Sequence, residues 1–199
     1  MTNPTAPAQQ QPRVARRITD GLEPKNWIIA VMVLLGWHVD GVSGVGWGLV
    51  GALFAAVIPT LFITYGMRRG RWADRNVGVK RHRLIVMTFI LASVATGILL
   101  LAVCDAPHEI LVLVVGMLGS LAALAVVTIW WKISVHAAVA AAGATIVAFT
   151  YGPIGILGYA LVALVGWSRI VLRDHTTAQV LSGTALGCVA AVLTYAGLR

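Results

Sequence analysis

Two stretches of this chain, Leu84 to Cys104 and Ile110 to Trp131, hold no charged side chain and are separated only by Asp105-Ala106-Pro107-His108-Glu109. At 1.5 Å of rise per residue, about twenty apolar residues in a helix match the ~30 Å hydrocarbon core of a bilayer. Backbone at that depth has no water to bond and must satisfy its own N–H and C=O groups, which an uninterrupted helix does. Only 11% of the 199 residues are charged and 59% are hydrophobic, so a soluble domain with polar outer faces is excluded. The expectation is an all-α, polytopic transmembrane helical bundle.

Five further apolar segments accompany these two: Asn26 to Val39, Trp47 to Met67, Ser134 to Thr150, Ile154 to Trp167 and Ala178 to Leu198. The first pair is broken by Asp40-Gly41-Val42-Ser43-Gly44 and the second by Tyr151-Gly152-Pro153, which read as turns joining helical hairpins. Asn26 to Val39 and Ile154 to Trp167 are short for a full crossing, so six or seven spans are expected. Residues 1–25 are rich in Gln, Pro and Arg and lack the apolar core of a signal peptide; they read as a disordered basic cytoplasmic tail ahead of a single membrane-embedded domain, 26–199. Cys104 and Cys188 lack metal-type spacing and read as small apolar side chains, while Gly183-x3-Gly187 reads as a helix-packing surface.

Of fifteen Lys and Arg residues, all but Arg199 fall on one side in the seven-helix reading, and the opposite loops carry Asp40, Asp105 and Glu109. This asymmetry places the basic side in the cytoplasm, with a bacterial plasma membrane the expected location. Three polar clusters, Arg75 to Arg83, Lys132 to His136 and Ser168 to Gln179, are separated by two spans each and so arrive at that same face. Arg83, Lys132 and Arg169, with Arg75 or Lys80, could surround one anion there, with Ser134 donating a hydroxyl. His175 and Gln179 are four apart on one helical face, so the amide can fix the imidazole tautomer, and His136 supplies a second imidazole for acid chemistry. A lone intramembrane His is as readily a satisfied core residue, and most of Arg68 to Arg83 reads as a solvated loop; His38, His82 and His108 read as interfacial.

At these residues the chain resembles the type 2 phosphatidic acid phosphatase (PAP2) and vanadium haloperoxidase superfamily. Ser168-Arg169-x5-His175-x3-Gln179 is similar to its third motif, Ser-Arg-x5-His-x3-Asp, with Gln in place of Asp. Ile133-Ser134-Val135-His136 keeps the Ser and His of the second, Pro-Ser-Gly-His. Arg83 takes the Arg place of Lys-x6-Arg-Pro, with Leu84 where Pro is usual and Asn76 where Lys is usual. The resemblance spans about residues 74 to 190. It implies a PAP2-like catalytic core in which His175 attacks phosphorus to give a phosphohistidine and His136 protonates the leaving group. Arg83, Arg169 and Ser134 would bind phosphate without metal or cofactor, and Arg75, Lys80 or Lys132 would stand in for the missing Lys. Because Gln179 orients the ring without adding charge, a lower rate or an altered substrate is expected.

The function these readings support is a metal-independent membrane phosphatase acting on a lipid phosphate or polyprenyl (di)phosphate. The expected partners are that amphiphile and the bilayer, and not nucleic acid. The alternative is a catalytically weak or inactive relative that binds lipid phosphate or a partner enzyme. A transporter is disfavoured because ionisable residues gather at one mouth and not along a path.

Overall fold

A computed structural model of the chain describes residues 12–72 and 80–196. Those residues are helical throughout, with no strand among them, and form α1 (Arg13–Gly21), α2 (Pro24–Ala52), α3 (Ile58–Arg68), α4 (Lys80–Val103), α5 (His108–Trp130), α6 (Val135–Tyr151), α7 (Gly158–Val171) and α8 (Thr177–Ala196). Five helical runs, Pro24–Arg68, Arg81–Val103, His108–Trp130, Val135–Val171 and Thr177–Thr194, are long and apolar enough to cross a membrane. The protein therefore has the character of an integral membrane helical bundle, as its composition requires.

Two of those runs fold back on themselves. Within α2 the helix breaks at Asp40 and Gly41, where Gly41 takes a φ of 51°. Beyond the break Gly44 packs on the Gly36 backbone and Gly48 on that of Met32, pairs whose numbers fall symmetrically about residue 40. That pattern is an antiparallel hairpin, and it needs glycine because a Cβ at Gly36 or Gly44 would run into the facing carbonyl. The second reversal lies at Gly152–Leu157, a 3-10 segment with φ of 70° at Gly152, which returns α7 along α6. Both breaks fall where the Asp-Gly and Gly-Pro sequences signal turns.

Between α2 and α3, residues Leu53–Val57 form a π-helical turn. Pro59 has no N–H, so the carbonyl of Phe54, five residues earlier, has no donor at the π-type position. Ser93 of α4 supplies one, its Oγ bonding the Phe54 carbonyl at 2.6 Å.

The main apolar core joins Val31, Met32 and Leu35 of α2 to Val94 and Leu101 of α4, Ile110, Leu113 and Val114 of α5, and Ile146 of α6. Helix α6 is central, with Ala137, Ala138, Ala140, Ala141, Gly143 and Ala144 all buried. Small side chains let backbones approach, and Gly183 and Gly187 of α8 sit on the backbones of Ser134 and Ala138, the packing surface expected from their spacing. The constant offset between these pairs makes α6 and α8 parallel, so both begin at the same end of the bundle. Outward positions such as Leu99, Val103, Leu181 and Leu193 are exposed and apolar, as a lipid-facing surface requires.

Residues 13–21 correct the expectation of a disordered tail over 1–25. They form α1, which buries Ala15 and Thr19 and packs against α7. The Thr19 hydroxyl bonds that of Ser168 at 2.8 Å in a buried contact, and Ser168 in turn donates to the Val165 carbonyl. Tertiary burial, not composition, decides the state of this segment. Residues 1–11 lie outside the described ones.

Candidate active site

The ends of six elements meet at one face of the bundle. α2 and α4 begin there, α7 ends there, α6 and α8 begin there, and the link from α5 to α6 crosses it. A cavity of about 290 Å³ opens among them, lined at this end by Lys25, Arg83, Lys132, His136, Arg169 and His175. Deeper, its walls are apolar: Val31, Ile90, Val94, Leu113, Met117 and Ile146 line it. His136 and Ile146 lie ten residues apart on α6, so the lined depth is about 15 Å, half of the ~30 Å hydrocarbon thickness.

Each polar group is held by local structure. Arg169 closes the last turn of α7 and is 1% exposed; its Nη2 lies 3.0 Å from Oδ2 of Asp174. Its carbonyl accepts from the N–H groups of Asp174 and His175 at 3.1 and 3.3 Å, tightening the turn through Arg173, which sits at φ 57°. Lys132 donates its Nζ to the Asp174 carbonyl at 2.9 Å. The second and third polar clusters are thus tied together.

Helix α8 starts with a reciprocal cap. Thr176 Oγ1 accepts from the Gln179 N–H at 3.3 Å, and Gln179 Oε1 accepts from the Thr176 N–H at 3.2 Å, a capping box written as Thr176-Thr177-Ala178-Gln179. The same Oε1 lies 3.2 Å from His175 Nδ1. An amide oxygen only accepts, so Nδ1 is the protonated nitrogen and Nε2 carries the lone pair. Burial, followed by the charges of Lys132 and Arg169, lowers the His175 pKa from its ordinary 6.5 to about 4; the Gln179 contact pulls the other way, and Arg83 adds a further lowering. At neutral pH His175 is an uncharged ring with one nitrogen pinned and the other available, the form a nucleophile needs.

Of the residues singled out from sequence, Arg83, Lys132, His136, Arg169 and His175 line the one cavity, and Gln179 bonds His175. Ser134, expected as a phosphate donor, occupies a different position. It is fully buried as the N-cap of α6, its Oγ accepting from the Ala137 N–H at 3.3 Å and its own N–H donating to the Gln179 carbonyl at 3.1 Å. It does not line the cavity; it joins the starts of α6 and α8. Arg75 lies outside the described residues, as does the side chain of Lys80. Among the described residues no group of three or more His, Cys, Asp and Glu is placed to hold a metal ion.

Three residues were not singled out by the sequence. Glu23 and Lys25, paired at 2.6 Å, line the cavity from the start of α2, and Asp174 braces Arg169. Asp174 sits inside the third cluster and could have been found there as the acid nearest an Arg. No spacing rule links Glu23 to residues sixty to one hundred and fifty positions away.

Comparisons with protein-family models, with curated proteins and with solved structures each return no match.

Proposed function

We propose that this protein is a metal-independent membrane phosphatase of the PAP2 type, acting on a lipid phosphate or polyprenyl phosphate. The observation that carries the reading is the cavity itself: four cations and two imidazoles stand at one end, and apolar walls run half a bilayer deep behind them. An amphiphile with an anionic head and a hydrocarbon tail matches both ends; a soluble phosphate ester matches one.

In this reading Arg83, Lys132 and Arg169 hold the phosphoryl oxygens and stabilise the charge that grows on them. His175 Nε2 attacks phosphorus as the bond from phosphorus to the lipid oxygen breaks, and His136 delivers the proton to that oxygen. Water, giving its proton to His136, then displaces the imidazole, releasing inorganic phosphate and restoring neutral His175 and protonated His136. Gln179 takes no proton; it orients the ring. In this reading the two folded-back runs count as two crossings each, giving seven, and the excess of Lys and Arg at the mouth supports a cytoplasmic face in a bacterial plasma membrane.

Phosphate release from a panel of lipid phosphates by the purified protein tests the proposal. His175→Ala should abolish release, and vanadate, a mimic of five-coordinate phosphorus, should inhibit the native protein. Undiminished turnover by the variant overturns the mechanism. Tight lipid phosphate binding without turnover in the native protein instead supports the binding-only alternative, for which the neutral partner of His175 is the structural argument.

A further inference from the structure

The mouth of the cavity contains carboxylates as well as cations, although its ligand in the reading above is an anion. Lys25, Arg83, Lys132 and Arg169 line it together with Glu23, whose side chain is only 14% exposed and contacts Lys25 Nζ at 2.6 Å. Asp174 lies against Arg169 at 3.0 Å. A phosphate monoester carries about −1.5 to −2 at pH 7, and the Glu23 carboxylate opposes any further negative charge brought to this mouth. A diphosphate carries at least one charge more and would place it in the field of Glu23.

Glu23 is also fixed in place. It is the residue just before α2, and two residues upstream α1 ends in the stretch anchored by the buried Thr19–Ser168 bond. Leu22 packs against the buried cluster that α6 and α7 form from Ala140, Ala141, Ala144, Val162 and Val165. The backbone just before Glu23 is therefore anchored, and the carboxylate pairs with Lys25 at the mouth.

From this arrangement we infer that Glu23 is a specificity-determining residue that sets the site for a phosphate monoester headgroup and against a diphosphate. The inference rests on the phosphate-binding reading of the cavity but not on turnover. Removing the Glu23 charge raises affinity for both anions and raises it more for the one with the larger charge, because Coulomb interaction scales with the product of charges. Removing the Lys25 charge does the reverse.

The test is equilibrium binding of inorganic orthophosphate and pyrophosphate to the full-length protein in nanodiscs, with Glu23→Gln, Glu23→Asp and Lys25→Gln beside the native chain. Glu23→Gln should shift the affinity ratio toward pyrophosphate by about fivefold, the scale of one added charge contact across a partly hydrated site. Lys25→Gln should shift it toward orthophosphate, and Glu23→Asp, which keeps the charge, should stay near the native ratio. A ratio unchanged in Glu23→Gln overturns the inference, as does a native protein that binds neither anion. If Glu23→Gln fails to fold, Glu23→Ser read against Glu23→Asp decides in its place. Binding with the expected ratios but no release of phosphate from lipids leaves the inference standing and overturns only the phosphatase reading.

Discussion

The amide oxygen of Gln179 stands 3.2 Å from Nδ1 of His175 and accepts at the same distance from the N–H of Thr176, so one atom caps α8 and sets the imidazole tautomer. Gln179→Ala removes both bonds. It should lower stability by about 0.5–2 kcal/mol, the usual effect of losing a cap, and reduce kcat roughly tenfold or more as the ring turns. Thermal melting together with steady-state kinetics checks this. A variant that melts earlier with native kcat would assign the glutamine to the helix alone.

The lowered pKa of His175 gives a pH dependence with a defined sign. The ring is neutral in the folded protein down to about pH 4, so the acid limb of kcat/KM should lie near 4 and not near 6.5. Stability follows the same window: the unfolded chain binds the proton first, so this group's contribution is complete above about 6.5 and is lost as pH falls toward 4. Gln179→Glu places a negative charge beside the ring and should move the limb upward. Histidine titration followed by NMR reports the value directly, and a native His175 titrating at 6.5 contradicts the arrangement.

Val139 lines the cavity one turn beyond His136. Val139→Phe should narrow the apolar shaft behind the cations and lower kcat/KM for long-tailed lipid phosphates while affecting a short water-soluble phosphate ester far less. Equal loss on both would mean that the tail lies elsewhere.

Ser93 donates its hydroxyl to the Phe54 carbonyl in the turn before Pro59. Ser93→Ala removes that donor from a part-buried acceptor and should cost about 1–3 kcal/mol. Because Ala55, Ala56 and Pro59 line the cavity, lipid turnover should change together with the melting temperature. A neutral substitution would show that the π turn does not depend on α4.

The bundle was legible in sequence because membrane burial leaves little choice: charge-free runs such as Leu84 to Cys104 become helices, and Asp40-Gly41 and Gly152-Pro153 become reversals. The gathering of Arg83, Lys132, His136, Arg169 and His175 followed from counting crossings. Helix α1 was not legible, since nine residues with three arginines hold no apolar run and their order comes from contacts with α7. The part played by Ser134 was hidden for a different reason. A serine that begins a helix and one that binds an anion look alike until the surrounding backbone shows which N–H groups it serves.

The contact of Gly183 and Gly187 with the backbones of Ser134 and Ala138 has a consequence for the two imidazoles. His136 rides on one of these helices and His175 leads into the other, and the seam between them is main chain against main chain. With no side chain there to repack, the distance between the two imidazoles is gauged by peptide geometry. The shaft behind them can be reshaped by substitution while the two rings keep their spacing.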